Sequence, residues 1–117
     1  MKPVSILAVA LPDDDRRMLD QIAARLGWNL CATPTSAEVV LFNRDLPQET
    51  WRDALPAIVD AAPNASVILL SPVNDDYLWE EVVKRGGYDV VVRPLREDRL
   101  VHAVTLACSY ARFQKKL

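Results

Sequence analysis

Three segments of the sequence decide the fold: VVLFNRDLP at residues 39–47, SVILLS at 66–71 and GGYDVVVRPL at 86–95. Each contains a short apolar run rich in β-branched residues, which is followed by polar residues or proline. This pattern is typical of a buried strand that leads into a loop. Similar apolar runs lie at residues 4–9 and 30–33. The sequence therefore predicts five strands, at residues 4–9, 30–33, 39–42, 66–70 and 90–92.

Helical patterns alternate with these strands. Residues 14–26 place Met18, Ile22 and Leu26 on one face, and Gly27 supplies a stop signal. Further helices are predicted at residues 49–61, 75–84 and 97–113, and Pro56 is expected to kink or split the first of them. Such alternation predicts a parallel sheet covered by helices on both faces. The predicted fold class is α/β, with a doubly wound, mainly parallel five-stranded sheet.

One connection is too short for this pattern. Only residues 34–38 separate the second predicted strand from the third, whereas a parallel crossover that contains a helix takes at least about 10 residues. The second helix is therefore predicted to be missing or reduced to an extended strap at residues 34–38; the alternative is that residues 30–33 do not form a regular parallel strand. The flank of the sheet near residues 30–33 should then be thinly covered, and we expect the strap, a repositioned tryptophan or a partner protein to cover it.

Composition limits the function classes. The chain has 117 residues, 50% of them hydrophobic, and a net charge of −2, which fits one globular domain and lacks the basic patch of a dedicated nucleic-acid binder. No apolar run approaches the about 20 residues of a membrane span, and no signal peptide is recognised. We therefore expect a soluble, cytoplasmic protein that contacts neither membrane nor nucleic acid directly. Cys31 and Cys108 are expected to be reduced thiols.

The three quoted segments resemble the receiver domain of two-component response regulators, the CheY-like family. Residues 39–47 are similar to the family's third strand with its phosphoacceptor and the following Leu-Pro, and residues 66–71 to the fourth strand with its terminal Ser or Thr. Residues 86–95 are similar to the segment around the fifth strand, and the spacing from Ser71 to Arg93 matches without a gap. The resemblance implies a single receiver-like domain over residues 1–117, with a flavodoxin/CheY-like fold.

The same resemblance marks a degenerate phosphoacceptor pocket. A receiver needs acidic residues that hold Mg²⁺, an aspartate that accepts a phosphoryl group and a lysine. Ala10 and Leu11 stand at the metal-binding positions and offer no side-chain oxygen, and Asn43 stands at the acceptor position. Arg93 keeps the charge of the lysine in a larger planar group, and Ser71 matches the family. We predict that Asn43, Ser71 and Arg93 cluster at the strand ends without bound metal, and that the Arg93–Pro94 peptide bond is cis.

A second alignment remains open. Shifted by three residues, it makes Asp13, Asp14 and Asp15 the acidic cluster, with Asp45 as a displaced acceptor. The competing interpretation is that the three aspartates cap the first helix and complement its dipole, while Asp45 is a solvated loop residue.

Other residues give no sign of catalysis or of a cofactor. His102 has no partner at metal-ligand spacing, and Cys31 has no nearby histidine. The chain also lacks the phosphate-binding loop of nucleotide-binding proteins and the GxSxG motif of hydrolases. We therefore predict no enzymatic activity, no metal and no cofactor. A small-molecule sensor at the strand ends is compatible with the fold but has no residue pattern of its own.

A candidate interaction surface follows from the resemblance, because receivers commonly pair through their fourth and fifth helices and fifth strand. On this face the sequence adds apolar residues beyond those needed for the core. The predicted set is Trp79, Val90, Val101, Cys108, Tyr110 and Phe113. A protein partner, a homodimer or further domains of a longer regulator are the expected partners.

Two functions are therefore compared. The favoured one is a phosphorylation-independent, degenerate receiver that acts as a signalling protein-interaction module. The alternative is an active receiver that a histidine kinase phosphorylates through a rearranged acidic site, with Asp13 or Asp14 acting together with Asp45.

Overall fold

The computed structural model describes residues 2–116 and has alternating strands and helices along the chain. The strands are β1 (Ser5–Val9), β2 (Asn29–Leu30), β3 (Val39–Asn43), β4 (Ser66–Ser71) and β5 (Asp89–Val92). The helices are α1 (Asp13–Leu26), α2 (Trp51–Ala61), α3 (Asp76–Lys84) and α4 (Glu97–Lys116). No helix in this part of the chain is long and apolar enough to cross a membrane.

The five strands form one parallel sheet in the order β2-β1-β3-β4-β5. Helices α1 and α4 pack on one face, where Leu19 and Leu100 are fully buried, and α2 and α3 pack on the other, where Leu55 and Val82 are fully buried. The predicted α/β fold class is confirmed. Because all strands run the same way, the carboxyl ends of β3, β4 and β5 meet at one edge of the sheet.

The predicted loss of the second helix is confirmed. A short 3₁₀ turn, Pro34–Ser36, links β2 to β3. Beside it, Leu7, Val9 and Cys31 are only partly buried, because no full helix covers this flank of the sheet. The second strand is shorter than residues 30–33, since only Ser5 and Ile6 of β1 pair with it.

Pro56 does not split the helix, so that part of the expectation is wrong. Helix α2 continues through this residue, with Trp51, Ala54 and Leu55 buried on its inner side. Pro56 and Arg52 both lie on the exposed side. Water can therefore hydrate the Arg52 carbonyl that loses its usual N–H partner.

Helix α1 ends where the sequence indicated. Gly27 adopts the left-handed conformation, with φ 75°, and its N–H donates to the Ala23 carbonyl. A side chain at this φ would strain the backbone, so glycine suits the position. The turn then leads directly into β2.

Candidate functional site

The side chain of Asn43 lies at the carboxyl end of β3 and is bound within its own loop. Its Oδ1 accepts from the backbone N–H of Asp45 at 3.1 Å, and its Nδ2 donates to the backbone carbonyl of Asp45 at 3.2 Å. Asn43 is 8% exposed. The amide therefore stabilises the turn after β3, and as a carboxamide it is not a phosphoryl acceptor.

Ser71 ends β4 and is fully buried. Its hydroxyl donates to the Val73 carbonyl at 2.6 Å and accepts from the Val73 N–H at 3.2 Å. Nη1 of Arg44, the residue after β3, also donates to this hydroxyl at 3.3 Å. Ser71 thus connects the loops that follow β3 and β4.

Arg93 follows β5 and forms an ion pair with Asp15 of α1. Its Nε lies 2.6 Å from Asp15 Oδ2, and the two side chains are 17% and 12% exposed. Its Nη1 donates to the Leu70 carbonyl at 3.1 Å, and its backbone N–H to the Ser71 carbonyl at 2.8 Å. The Arg93–Pro94 peptide bond is cis, as predicted. The charge of Arg93 is thus neutralised within the chain.

Asp15 is the residue that sequence reasoning misassigned, since it neither caps α1 nor joins an acidic cluster with its neighbours. The sequence did contain a signal: Asp15, Leu19 and Ile22 follow helical spacing, and all three are buried. Asp13 and Asp14 are exposed, and Asp14 pairs with Arg17 at 3.3 Å. These two aspartates lie in the first turn, where they complement the helix dipole.

The other positions of the pocket bring no metal ligand. Ala10 is exposed and has a φ of 56°, which is unusual for a residue with a Cβ, and Leu11 packs partly against the core. Asp45 is exposed and contacts Asn43 through its backbone. Within residues 2–116, no three His, Cys, Asp or Glu side chains converge as a metal site would require.

The predicted interaction surface is only partly exposed. Trp79, Tyr110 and Phe113 are 45%, 47% and 58% exposed. Val90 and Cys108 are buried and cannot meet a partner, so their assignment to this surface is wrong. Val90, on β5, belongs to the core between the sheet and α2 and α3, and Cys108, on α4, belongs to the core on the opposite face.

Two further residues of this region have intermediate or surface positions. Val101 is half-buried against the core cluster, so it contributes little to a docking surface. His102 is exposed on α4, as expected for a surface histidine.

Burial raises the pKa of the Cys108 thiol, and the nearby Glu38 carboxylate raises it further, so Cys108 is protonated and unreactive near neutral pH.

A second ion pair, partly buried, lies at the amino end of the sheet and was not predicted. Arg112 of α4 donates to both carboxylate oxygens of Glu38, from Nε to Oε2 at 2.7 Å and from Nη2 to Oε1 at 3.1 Å. The same Nη2 donates to the carbonyls of Lys2 and Pro3, and the Ser5 N–H donates to Glu38. The hydrogen bond from Arg112 holds the pKa of Glu38 below its ordinary value.

Comparisons with known proteins agree with this architecture. No family model matches the chain. The chemotaxis protein CheY of Thermotoga maritima is 25% identical over 101 residues, which cover 76% of this chain and 84% of that protein. The CheY of Listeria monocytogenes is 27% identical over 70 residues, which cover 60% of this chain and 59% of that protein.

Solved structures show the same fold at lower identity. The signal receiver domain of an HD domain-containing protein from Pseudomonas fluorescens is 20% identical with a TM-score of 0.81, and the match covers 99% of this chain and 94% of that domain. NtrX from Brucella abortus has the same identity and TM-score, but the match covers 98% of this chain and only 29% of NtrX. This chain has the doubly wound α/β fold. Its sequence relatives are CheY proteins, so its similarity to CheY-like response-regulator receiver domains is supported by sequence as well as by fold.

Proposed function

We propose that this chain is a degenerate receiver that works without phosphorylation, as a protein-interaction module in signalling. The observation that carries the proposal is the state of Asn43, whose amide stands at the acceptor position with both polar atoms bonded to the Asp45 backbone. An acyl phosphate requires a carboxylate nucleophile, and a carboxamide does not provide one.

The surroundings of Asn43 support the same conclusion. Ala10 and Leu11 offer no oxygen to Mg²⁺, which binds through carboxylates and water. Asp15 already neutralises Arg93, at 2.6 Å. The Asp15 carboxylate therefore supplies the negative charge that a phosphoryl group would otherwise place beside Arg93. We assign no catalytic residue, no cofactor and no enzymatic activity to this pocket.

Incubation with a small phosphodonor and Mg²⁺, followed by intact-mass measurement, tests the proposal. We expect the mass to stay unchanged. A phosphoryl adduct that disappears in Asp45→Asn, or in Asp13→Asn together with Asp14→Asn, would establish the alternative of an active receiver with a rearranged acidic site. A matched Asn43→Asp variant shows what the pocket does once a carboxylate stands at the acceptor position.

We further propose that a protein partner or a second copy docks on the face formed by α3, β5 and α4. The exposed apolar residues that support this are Trp79, Val83, Val92, Leu106, Tyr110 and Phe113. Adjacent exposed apolar residues on neighbouring elements are typical of interfaces. The match to one part of the longer NtrX chain fits a role beside other domains. Val90 and Cys108 have no part in this surface because they are buried.

Light scattering at high concentration tests self-association through this face. We expect an average mass above that of the monomer, which Trp79→Ala returns to the monomer value. Leu26→Ala is the matched control, because Leu26 lies on α1 and is also 45% exposed. A monomer at every concentration would rule out self-association through this face and leave only docking of a different protein. Equal effects of Trp79→Ala and Leu26→Ala would remove the support for this face as an interface.

A further inference from the structure

The side of the sheet formed by β1 and β2 is incompletely covered. On the face where α2 and α3 pack, these helices cover β3, β4 and β5, whose side chains Val40, Leu69 and Val90 are buried. Leu7 and Val9 of β1 point to the same core but stay partly exposed. A parallel sheet normally has helices over the whole of both faces. The described chain, residues 2–116, places no third helix on this face.

Four partly buried apolar side chains define what we call the β1–β2 flank. They all pack against one core cluster, and they are Leu7, Val9, Cys31 and Leu46. The strap closes this flank only in part, since Ala37 is the strap residue that joins the same cluster. Trp28 packs against the core on the opposite face and therefore does not cover the flank. The β1–β2 flank thus keeps apolar surface in contact with water.

The loop that borders the β1–β2 flank carries negative charge. Leu46 lies in this loop, between β3 and α2, and the nearby Asp45 and Glu49 are exposed. Among the ion pairs of the described residues, neither carboxylate has a cationic partner. Residues 32–36, on the other side of the flank, contain no charged residue. Basic side chains of a partner would therefore meet two unneutralised carboxylates on one side of the flank.

We propose that an amphipathic helix of a different protein docks on the β1–β2 flank, with its apolar side chains on the flank and its basic side chains toward Asp45 and Glu49. The uncovered width is about two strand spacings, or about 10 Å, which matches the diameter of a helix. A partner strand would find a poor template, because β2 has only two residues. The proposal goes beyond the phosphorylation-independent function. It concerns a surface at the opposite edge of the sheet from β5.

A second copy of this chain fits the flank less well than a different protein does. Its exposed apolar helix residues include Leu106, Tyr110 and Phe113 of α4. If α4 of one copy docked on the flank of the next, the contact would be head-to-tail, which continues as an open chain unless it closes into a ring. The net charge of this chain is −2, so the acidic side of the flank favours a basic partner over a second copy.

Alkylation of Cys31 by iodoacetamide tests the proposal, because Cys31 is partly exposed on the flank whereas Cys108 is buried. The probe is a helical peptide of about 15 residues made of leucine and lysine, with the leucines on one face. An amide NMR titration measures its dissociation constant. At about ten times this concentration we expect Cys31 alkylation to slow about tenfold, because only unoccupied protein reacts. A peptide with the same leucine pattern but glutamate in place of lysine should give no protection.

Substitution of the two carboxylates tests the charge contribution. Asp45→Asn together with Glu49→Gln should weaken binding of the leucine–lysine peptide at least about threefold, the effect expected of two exposed charge contacts. Asp60→Asn together with Glu80→Gln is the matched control, because it removes the same charge from exposed positions on α2 and α3. The control should bind like the unsubstituted protein, and the amide spectrum of each variant shows that its fold is intact.

Four results would overturn the proposal. They are Cys31 alkylation that the leucine–lysine peptide leaves unchanged, equal protection by both peptides, and equal weakening in the two double variants. The fourth is alkylation of Cys31 that slows as the protein concentration rises without peptide, which would assign the flank to a second copy. Failure here leaves the proposed function standing, because intact mass and the light-scattering effect of Trp79→Ala test that function separately.

Discussion

The two ends of the sheet each hold a partly buried arginine–carboxylate pair, but the pairs are built differently. At the amino end, Arg112 binds both oxygens of Glu38 and two backbone carbonyls. At the carboxyl end, Arg93 meets one oxygen of Asp15 and keeps a buried nitrogen without a partner among the described residues. A pair whose groups are all hydrogen-bonded holds its neighbours more firmly than one that leaves a donor without a partner. We therefore expect the amino-end pair to contribute more to stability than the carboxyl-end pair.

The largest expected effect is at the amino end. Glu38→Ala removes the partner of Arg112 and leaves a partly buried guanidinium without its carboxylate, so we expect a loss of about 3 kcal/mol in the free energy of unfolding. Denaturant unfolding measures this loss. Glu49→Ala, which changes an exposed carboxylate, should stay within about 0.5 kcal/mol. Equal losses in the two variants would remove the distinction between the ends.

The pH dependence of stability sharpens the same comparison. The pKa of Glu38 is lowered by its hydrogen bond from Arg112, so its contribution is present above the unfolded pKa near 4.5 and is lost as the pH falls through the folded pKa. We expect Glu38→Gln to cost about 2 kcal/mol at pH 7, and its difference from the unsubstituted protein to shrink at acid pH. The half-buried Glu81, whose pKa is also lowered, chiefly by its hydrogen bond from Tyr77, is common to both proteins, so its contribution cancels in the difference. A difference that stays constant down to pH 3 would contradict this assignment.

The smallest expected effect is at the carboxyl end. Ala10 has a φ of 56°, a conformation that costs a residue with a Cβ about 1 kcal/mol. Glycine avoids this cost, but it loses more conformational freedom on folding, which offsets part of the gain. Ala10→Gly should therefore raise the free energy of unfolding by about 0.5 kcal/mol. Thermal unfolding measures the change. Ala24→Gly, at an exposed position inside α1, should instead destabilise, and the same sign in both variants would argue against strain at Ala10.

Periodicity predicted most of the fold because strands and helices follow local patterns. The shortened β2–β3 connection followed from a length argument alone. The continuity of α2 through Pro56 could not be predicted in this way. Proline is tolerated there because Arg52 and Pro56 both lie on the exposed side of the helix.

The site was predictable only in part. Asn43, Ser71 and Arg93 were found from strand-end positions, but the partner of Arg93 lies 78 residues away in sequence. Glu38 and Arg112 are 74 residues apart, and no local pattern links them. Cys108 was placed outside the buried stripe of α4, although its spacing from Val104 is helical and both are buried.

A double-mutant cycle on Asp15 and Arg93 tests the central claim most directly. That claim is that an internal ion pair organises the carboxyl end of the sheet in place of a phosphoryl group. The cycle compares the free energies of unfolding of Asp15→Asn, Arg93→Gln and the double variant. We predict a coupling energy of at least about 1.5 kcal/mol, as close buried charge pairs give. Additive effects, within about 0.3 kcal/mol, would contradict the account.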